Sequence, residues 1–293
     1  MAVEKAKETD AELVMASDPD ADRVGAAVKN NEGEWVLLNG NQTALMFVYY
    51  LIIRWKELGK INGKEYIVKT IVTTETIKTI AERNGVEMYD VYTGFKWIAN
   101  VMRENEGKKN YIGGGEESYG FLCEDFVRDK DAVSACVILA EIAAWAKDQG
   151  LSLYQLLQKI YVEYGFSKEK GISVVKKGKS GAEEIEAMMK KFRENPLTEI
   201  AGSKVTYFYD YSTLKGKDYA ENETVTLDMP TTSNVLQYFT EDNTKVSIRP
   251  SGTEPKIKFY CEVHSKVKSI DELPEAEKAA EEKINQIKAS LGI

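Results

Sequence analysis

The chain has 293 residues, of which 43% are hydrophobic and 29% charged, and its formal net charge at pH 7 is −8. This length predicts two or more domains, and the acidic balance argues against nucleic acid as the main partner. No apolar run approaches the roughly 18 residues of a membrane helix, and no N-terminal signal sequence is visible. We therefore expect a cytoplasmic protein that does not bind membranes.

The cysteines and the single histidine narrow the possible chemistry. Cys123, Cys136 and Cys261 are widely separated and form no CxxC pair, which argues against a zinc site or a disulfide framework. His264 leaves no room for a two-histidine metal site, and its position at the end of a strand predicts a surface or edge residue. Lysine, aspartate or glutamate should therefore carry any proton transfer.

The first predicted strand leads into an acidic loop. Residues 13–16 form a short apolar run that predicts a buried strand, and Asp18, Asp20 and Asp22 follow at alternate positions. Three carboxylates at this spacing can converge on one hard cation, and we favour Mg²⁺. An EF-hand is excluded because its sixth position, normally glycine, is Arg23 and its twelfth is not glutamate. A solvated acidic turn is the alternative.

Helix and strand patterns alternate through the next hundred residues. A hairpin over 24–28 and 35–38 comes first. Helices are predicted over 42–57, 74–83 and 95–104, and strands over 66–72, 86–92 and 111–112. This order predicts an α/β layer with a mainly parallel sheet, whose ligands bind at the carboxyl ends of the strands.

Two sequence features fall at these strand ends. In the glycine-rich loop 113–120, Glu116 and Ser118 present a carboxylate and a hydroxyl two residues apart, which suits the hydroxyl groups of a sugar. A structural turn is the alternative. Thr93-Gly94-Phe95-Lys96 is the second feature. Asp131 is a predicted N-cap for a helix over 132–147.

The pattern changes character at Gly165, after a helix over 153–164. Strands are predicted over 172–175, 205–211, 235–240, 246–249 and 257–263, with a helix over 183–192 and another at the C-terminus. The predicted fold is therefore an α/β domain with a mixed or parallel sheet and flanking helices, followed by an α+β domain.

A polar octapeptide joins two strands of this second domain. It contains an arginine fork, two hydroxyls, a glycine and a lysine, which are the groups that hold a phosphate dianion. The residues are Arg249, Ser251, Gly252, Thr253 and Lys256. A polar turn with scattered charges is the alternative.

In their order along the chain, the three loops resemble those of the α-D-phosphohexomutases, the phosphoglucomutase/phosphomannomutase superfamily. They read Asp-x-Asp-x-Asp-Arg, Gly-Glu-Glu-Ser-Tyr-Gly and Arg-Pro-Ser-Gly-Thr-Glu-Pro-Lys. The resemblance implies a four-domain isomerase of carbohydrate metabolism. Such an enzyme interconverts the 1-phosphate and the 6-phosphate of glucose or mannose. It uses a phosphoserine and passes through a hexose 1,6-bisphosphate intermediate.

The resemblance also implies a role for each matching residue. Asp18, Asp20 and Asp22 would hold Mg²⁺ with Arg23 beside them, and Glu116 and Ser118 would bind sugar hydroxyls. Lys130 would accept and donate protons, with Lys96 as a second basic residue. Arg249, Ser251, Gly252, Thr253 and Lys256 would hold the phosphate that does not react. Residues 130–132 read Lys-Asp-Ala where the family has Lys-Asp-Gly, so Ala132 replaces the glycine of that pattern.

The resemblance divides the chain into three parts. Residues 1–40 would be the remainder of the second domain with the metal loop, 41–165 the sugar-binding domain and 166–293 the phosphate-binding domain. The family's phosphoserine motif, Thr-Ala-Ser-His-Asn-Pro, does not occur in this sequence. We therefore expect a fragment that needs the N-terminal half of the enzyme and is inactive alone.

Two other classes remain open. One is a non-catalytic module that uses the same loops only to bind sugar phosphates. The other is a metal-dependent hydrolase acting through the aspartate loop, although no water-activating group besides the aspartates is visible there.

Overall fold

The computed structural model describes residues 1–176, 178–252 and 254–293. It divides into two compact units, Met1–Gly165 and Phe166–Ile293. Across these described ranges, no helix has both the length and the apolar character needed to span a bilayer.

The N-terminal unit contains six helices and seven strands within the described residues. The helices are α1 (Ala2–Glu8), α2 (Gly40–Glu57), α3 (Thr76–Arg83), α4 (Phe95–Asn105), α5 (Ala132–Asp148) and α6 (Leu153–Tyr164). The strands are β1 (Leu13–Ser17), β2 (Val24–Lys29), β3 (Trp35–Leu38), β4 (Glu65–Thr70), β5 (Glu87–Val91), β6 (Asn110–Gly115) and β7 (Phe121–Cys123).

The first three strands form a small antiparallel sheet in the order β1-β2-β3. The predicted hairpin over 24–28 and 35–38 is confirmed, with Val28 opposite Val36. The prediction of a buried first strand is wrong, because Leu13, Val14 and Met15 are only half-buried and the last two residues of β1 are exposed. β1 lies at the edge of its sheet, where one side of the strand has no neighbour.

The larger sheet of this unit has the order β5-β4-β6-β7. β4 runs parallel to both β5 and β6, and the short β7 pairs antiparallel with β6. All residues of β4 are buried, as expected for a central parallel strand covered on both faces. The α/β prediction is confirmed.

Helix caps explain where several of these helices begin. Asn39 and Gln42 form a capping box at the start of α2, and Ser152 and Gln155 form another at α6. The predicted cap at α5 is confirmed, because the Asp131 carboxylate accepts hydrogen bonds from the backbone N–H groups of residues 133 and 134.

The C-terminal unit is built on an eight-stranded antiparallel sheet. Seven strands follow the order β12-β11-β10-β13-β14-β15-β8, and β9 pairs with β10. The strands are β8 (Phe166–Val175), β9 (Glu199–Ile200), β10 (Ser203–Asp210), β11 (Lys215–Asp218), β12 (Glu223–Thr226), β13 (Leu236–Thr240), β14 (Lys245–Pro250) and β15 (Lys256–Ser265). The helices are α7 (Gly178–Glu194) and α8 (Leu273–Leu291), with a short 3₁₀ turn at Ile270–Glu272.

The alternation predicted for the strand at 257–263 matches its burial. Ile257, Phe259, Cys261 and Val263 are all buried, and α8 packs along this strand. The α+β prediction is confirmed. The largest differences from the predicted bounds of this unit are the starts of β8 at Phe166 and of α7 at Gly178, both earlier in the chain.

A cluster of charged side chains is buried in this sheet. Lys245 Nζ lies 3.0 Å from Glu262 Oε2, and His264 Nε2 lies 2.7 Å from Glu262 Oε1. Burial raises the pKa of Glu262, but the charges of Lys245 and His264 outweigh it, and the pKa is lowered well below its usual range. The prediction of a surface or edge histidine is wrong, because His264 lies on an inner strand with an 18% exposed side chain.

We predict that His264 makes stability depend on pH. Burial lowers the pKa of His264, but Glu262 outweighs it with a smaller contribution from Glu169, while Lys245 opposes; the net pKa is raised. The stabilisation is therefore fully present below about pH 6.5, the ordinary histidine value, and is lost as the pH rises through the folded-state pKa. Thermal unfolding of the wild type and of His264→Gln should be compared from about pH 5.5 to about pH 9 by far-UV circular dichroism. The wild-type advantage should shrink with rising pH, and a constant difference would contradict the prediction.

Candidate active site

The carboxyl ends of the parallel strands carry the glycine-rich turn. β6 ends at Gly115, and Glu116–Gly120 reverse the chain into β7, with the Glu116 N–H donating to the Gly120 carbonyl at 2.9 Å. Glu116 is 4% exposed. Its Oε1 accepts a hydrogen bond from the Gly94 N–H at 2.8 Å. Gly94 has φ of 116°, which other residues rarely adopt, and this conformation directs its N–H at the carboxylate.

The start of α2 holds the same turn from the other side. A Cβ on Gly40 would overlap the carbonyl of Glu117 and would lie 2.7 Å from the Tyr119 nitrogen. Only a glycine therefore allows this approach between two backbones. The Thr70 hydroxyl, at the end of β4, also donates to Glu117 Oε2 at 3.3 Å. The turn is fixed by two neighbouring elements.

The aspartate loop is the connection between β1 and β2, and it lies against this turn. The Val24 N–H donates to the Tyr119 carbonyl at 3.2 Å, and Arg23 forms a β-bridge with Gly120. On its other side, the Ala132 N–H at the start of α5 donates to the Ala21 carbonyl at 3.0 Å. Backbone contacts thus place the acidic loop between the Glu116–Gly120 turn and the N-terminus of α5.

Three of the predicted site residues meet at this junction. Lys130 Nζ lies 2.7 Å from Asp22 Oδ2, and its side chain is 13% exposed. A Cβ on Gly120 would lie 2.6 Å from Lys130 Cδ and 3.4 Å from Glu116 Oε2. Glu116 and Lys130 therefore flank the same glycine, and Asp22 pairs with the lysine.

The surroundings keep Lys130 and Asp18 charged. Burial lowers the pKa of Lys130, but its hydrogen bond to Asp22 and the charge of Asp129 outweigh this effect, so the pKa is raised. Desolvation raises the pKa of Asp18, but its Oδ1 accepts the backbone N–H groups of Asp22 and Arg23 at 3.1 and 3.2 Å, and the pKa is lowered. An ammonium and a carboxylate thus face this junction.

The predicted metal residues fit a cation only in part. Within the described residues, no three histidine, cysteine, aspartate or glutamate side chains are grouped closely enough to hold a metal ion. Asp20 is exposed. However, Asp22 Oδ1 is buried and accepts no hydrogen bond, and Arg23 Nε is 3.8 Å away. A buried carboxylate oxygen that accepts no hydrogen bond suits a hard cation, so Mg²⁺ stays a prediction.

The other predicted residues of this unit have different surroundings. Ser118 is half-buried in the turn, and the Arg23 side chain is exposed. Lys96 is also exposed, and its Nζ lies 5.0 Å from the centre of the Trp97 ring. The structure thus brings Asp22, Glu116 and Lys130 together, and shows no contact between Lys96 and these residues.

The predicted phosphate loop is a hairpin in the C-terminal unit. Arg249 lies in β14 and Lys256 begins β15, and the Ser251 N–H donates to the Lys256 carbonyl at 2.7 Å. Lys256 Nζ pairs with Glu254 Oε2 at 2.9 Å. Gly252 is exposed in the turn, and Thr253 lies outside the described residues.

Sequence reasoning missed one cation of this hairpin. Lys258 lies directly opposite Arg249 in the β14–β15 ladder, so both side chains emerge on the same face of the sheet. Like charges at opposed positions destabilise a sheet, and a bound anion would reverse that effect. In the sequence, Lys258 is a polar residue that alternates with Ile257 and Phe259. Its position opposite Arg249 could be identified only from the strand register.

The described residues thus combine an α/β layer with a polar carboxyl edge and an antiparallel α+β unit with a cationic hairpin. The family model described as phosphoglucomutase/phosphomannomutase, alpha/beta/alpha domain III, matches residues 39–164, and the one for the C-terminal domain matches residues 173–280. The chain belongs to the phosphoglucomutase/phosphomannomutase family.

Individual relatives agree with this family. The chain is 33% identical over 264 residues to a phosphoglucomutase of Staphylococcus haemolyticus, covering 90% of this chain and 47% of that protein. It is 38% identical over 259 residues to a phosphoglucomutase of Staphylococcus aureus strain MRSA252, covering 88% and 46%. The chain thus spans about half the length of the relatives it matches.

Solved structures agree with the fold. Parafusin of Paramecium, a phosphoglucomutase in its open form, superposes with a TM-score of 0.60 at 18% identity, covering 88% of this chain and 41% of that one. A phosphoglucomutase/phosphomannomutase family protein of Burkholderia thailandensis has the same TM-score and identity, with coverages of 99% and 49%.

Proposed function

We propose that this chain supplies the sugar-binding and phosphate-binding loops of a phosphohexomutase, which interconverts hexose 1-phosphate and hexose 6-phosphate through a phosphoserine and a bisphosphate intermediate. Glu116 and Ser118 bind hydroxyl groups of the sugar. Lys130 moves protons to and from the reacting oxygen, with Arg23 and Lys96 as further cations of the site. The substrates are glucose or mannose phosphates, and the proposed compartment is the cytoplasm, where the three thiols, free in this structure, stay reduced.

The observation that carries the proposal is the buried Glu116 carboxylate beside Lys130. Phosphoryl transfer depends mostly on positioning and on charge neutralisation, so a site without histidine is sufficient. Glu116 Oε1 is already held by Gly94, and its second oxygen lies next to Gly120. A fixed carboxylate of this kind can accept hydrogen bonds from sugar hydroxyls without reorganising.

Asp18, Asp20 and Asp22 would hold the Mg²⁺ that the proposal includes. When bound, the ion supplies positive charge that stabilises a transferring phosphoryl group. Binding through Asp22 would compete with Lys130 for the same carboxylate, since the two side chains are only 2.7 Å apart. The chain's own contribution is therefore a loop that is already fixed by its backbone contacts.

The hairpin of the C-terminal unit would hold the phosphate that does not react. Arg249 and Lys258 contribute opposed cations, and Ser251 and Gly252 contribute turn groups. Thr253 and Lys256 complete the proposed set. Lys256 would have to leave Glu254 to contact the phosphate.

We further propose that turnover requires the N-terminal half of the enzyme. The family's serine motif is not found in the 293 residues, and their one histidine is His264. A hexose phosphate could bind to the loops that are present, but the phosphoryl donor would come from the missing half. Nucleic acid and membrane are not among the proposed partners.

The proposal predicts binding without turnover. The pure chain should bind glucose 6-phosphate in isothermal titration calorimetry, and Glu116→Gln should weaken this binding at least about tenfold, because a charge-assisted hydrogen bond to the sugar is lost. No conversion to glucose 1-phosphate should occur above a mock preparation.

Glu82→Gln is the matched control, since Glu82 is exposed on α3 and should bind normally. Equal binding by Glu116→Gln would contradict the role of that residue, and measurable turnover by the pure chain would contradict its need for the missing half. If the full-length enzyme also bound without converting glucose 1-phosphate or mannose 1-phosphate, a non-catalytic module would be favoured.

A further inference from the structure

A cavity lies at the opposite edge of the parallel sheet from the candidate site. Glu65 and Asn110 are the first residues of β4 and β6 and pair with each other at the amino ends of these strands. The cavity has a volume of about 750 Å³. The side chains that matter for its chemistry are Trp55, Lys60, Lys64, Lys108, Glu124 and Asp125.

One wall of this cavity is fixed by a buried carboxylate. Glu65 is 2% exposed, and its Oε2 accepts the backbone N–H groups of Asn62, Gly63 and Lys64 at 2.7, 2.9 and 3.1 Å. Its Oε1 accepts from the Asn110 amide at 3.0 Å. The loop carrying Lys64 is therefore tied to the start of both strands. A wall that is ordered in advance loses little entropy when a ligand binds.

Of the four lysines that line this cavity, three form no ion pair with an acidic side chain among the described residues. Within the described residues, Lys60, Lys64 and Lys108 form no ion pair; Lys60 Nζ lies 5.2 Å from the centre of the Trp55 ring, and Lys108 Nζ donates to a backbone carbonyl at 2.9 Å. Lys109 differs, because it pairs with Glu87 and donates to the Tyr89 hydroxyl. Three ammonium groups around one cavity that form no ion pair can bind an anion with several oxygens.

The acidic residues of the cavity also have no cation of their own. In the part of the chain that the structure describes, neither Glu124 nor Asp125 is in an ion pair, although both line the same space as the lysines. Carboxylates and ammonium groups around one space that do not pair leave room for a ligand that contacts both. Carboxylates accept hydrogen bonds from hydroxyls, as the amides of Asn62 and Asn110 also can.

We propose that this cavity is a second binding site, for a small phosphorylated polyhydroxy compound of the sugar phosphate class. The phosphate contacts Lys60, Lys64 and Lys108, and the hydroxyls contact Glu124 and Asp125. The site is independent of the proposed function, because none of its residues belongs to the carboxyl edge of the sheet.

The test uses the whole chain with both proposed substrate loops disabled by Glu116→Gln and Arg249→Ala. Isothermal titration calorimetry with glucose 6-phosphate at low ionic strength should still show one binding event. Further substitution by Lys64→Glu and Lys108→Glu should weaken that event at least about tenfold. Lys78→Glu with Lys147→Glu, two exposed lysines elsewhere in the unit, should leave it unchanged.

Titrations with inorganic phosphate and with glucose test the phosphate part and the sugar part of the ligand separately. Each compound should bind more weakly than glucose 6-phosphate. The proposal is overturned if the disabled chain shows no binding, if Lys64→Glu with Lys108→Glu binds normally, or if the control lysines weaken binding equally. Equal affinity for inorganic phosphate would also overturn it. Lys64→Gln with Lys108→Gln, checked for a native melting temperature, guards against loss of folding. If this second site is not found, the Glu116→Gln experiment still tests the proposed function, since that variant is compared with the unmodified chain.

Discussion

Gly40→Ala should lower the free energy of unfolding of the N-terminal unit by about 3 kcal/mol, the upper end of the usual cost of overpacking. The added methyl group would overlap backbone atoms of Glu117 and Tyr119, and a backbone cannot move aside as a flexible side chain can. The displaced segment is the turn that carries Glu116 and Ser118. Glucose 6-phosphate binding should therefore be lost together with stability.

Urea unfolding followed by tryptophan fluorescence measures this change in the right unit, because all four tryptophans (Trp35, Trp55, Trp97 and Trp145) lie before Gly165. Gly25→Ala is the control, since a methyl group there would lie 3.9 Å from its nearest neighbour. A Gly40→Ala midpoint equal to that of Gly25→Ala would show that α2 and the turn are not in the contact described.

Glu262→Leu should cost about 3–5 kcal/mol of stability in the C-terminal unit, the range for breaking a buried ion pair. The substitution leaves Lys245, only 2% exposed, without its carboxylate in the interior. Replacing both residues, as Lys245→Met with Glu262→Leu, removes the isolated charge. The double variant should therefore be much more stable than Glu262→Leu alone.

Far-UV circular dichroism during urea unfolding can follow the sheet, with tryptophan fluorescence as an internal measure of the other unit. A double variant as unstable as the sum of the two single variants would mean that the lysine and the glutamate do not interact. In that case the cost would come from packing alone.

Local patterns were enough to predict most of the elements. The alternation at 257–263 matches strand burial, and Asp131 caps its helix as predicted, because both depend on neighbours within a few residues. β11 and β12 were missed because they are short, polar and without a clear alternation. Edge position also misled the interpretation of residues 13–16, since an apolar run does not show how many neighbours its strand has.

The candidate site depended on contacts that sequence spacing does not encode. The pairing of Asp22 with Lys130 joins loops that are far apart in the chain, and it became visible only once β2 and the turn before β7 were in place. The sequence around Gly40 does not indicate its role, while the structure shows a backbone approach that only glycine permits. Residue types indicated the chemistry, and tertiary packing decided which of those residues meet.

The longest ladder of the C-terminal unit has a consequence for synthesis on the ribosome. β8 opens this unit and pairs along its whole length with β15, which comes near the end of the chain. The nascent strand at Phe166–Val175 therefore emerges long before its partner and must wait with its hydrogen-bonding groups exposed to water and to other chains. The described strands of the preceding unit pair with one another, so these pairs can form before β15 emerges, while the sheet of the second unit is complete only after β15 has left the ribosome.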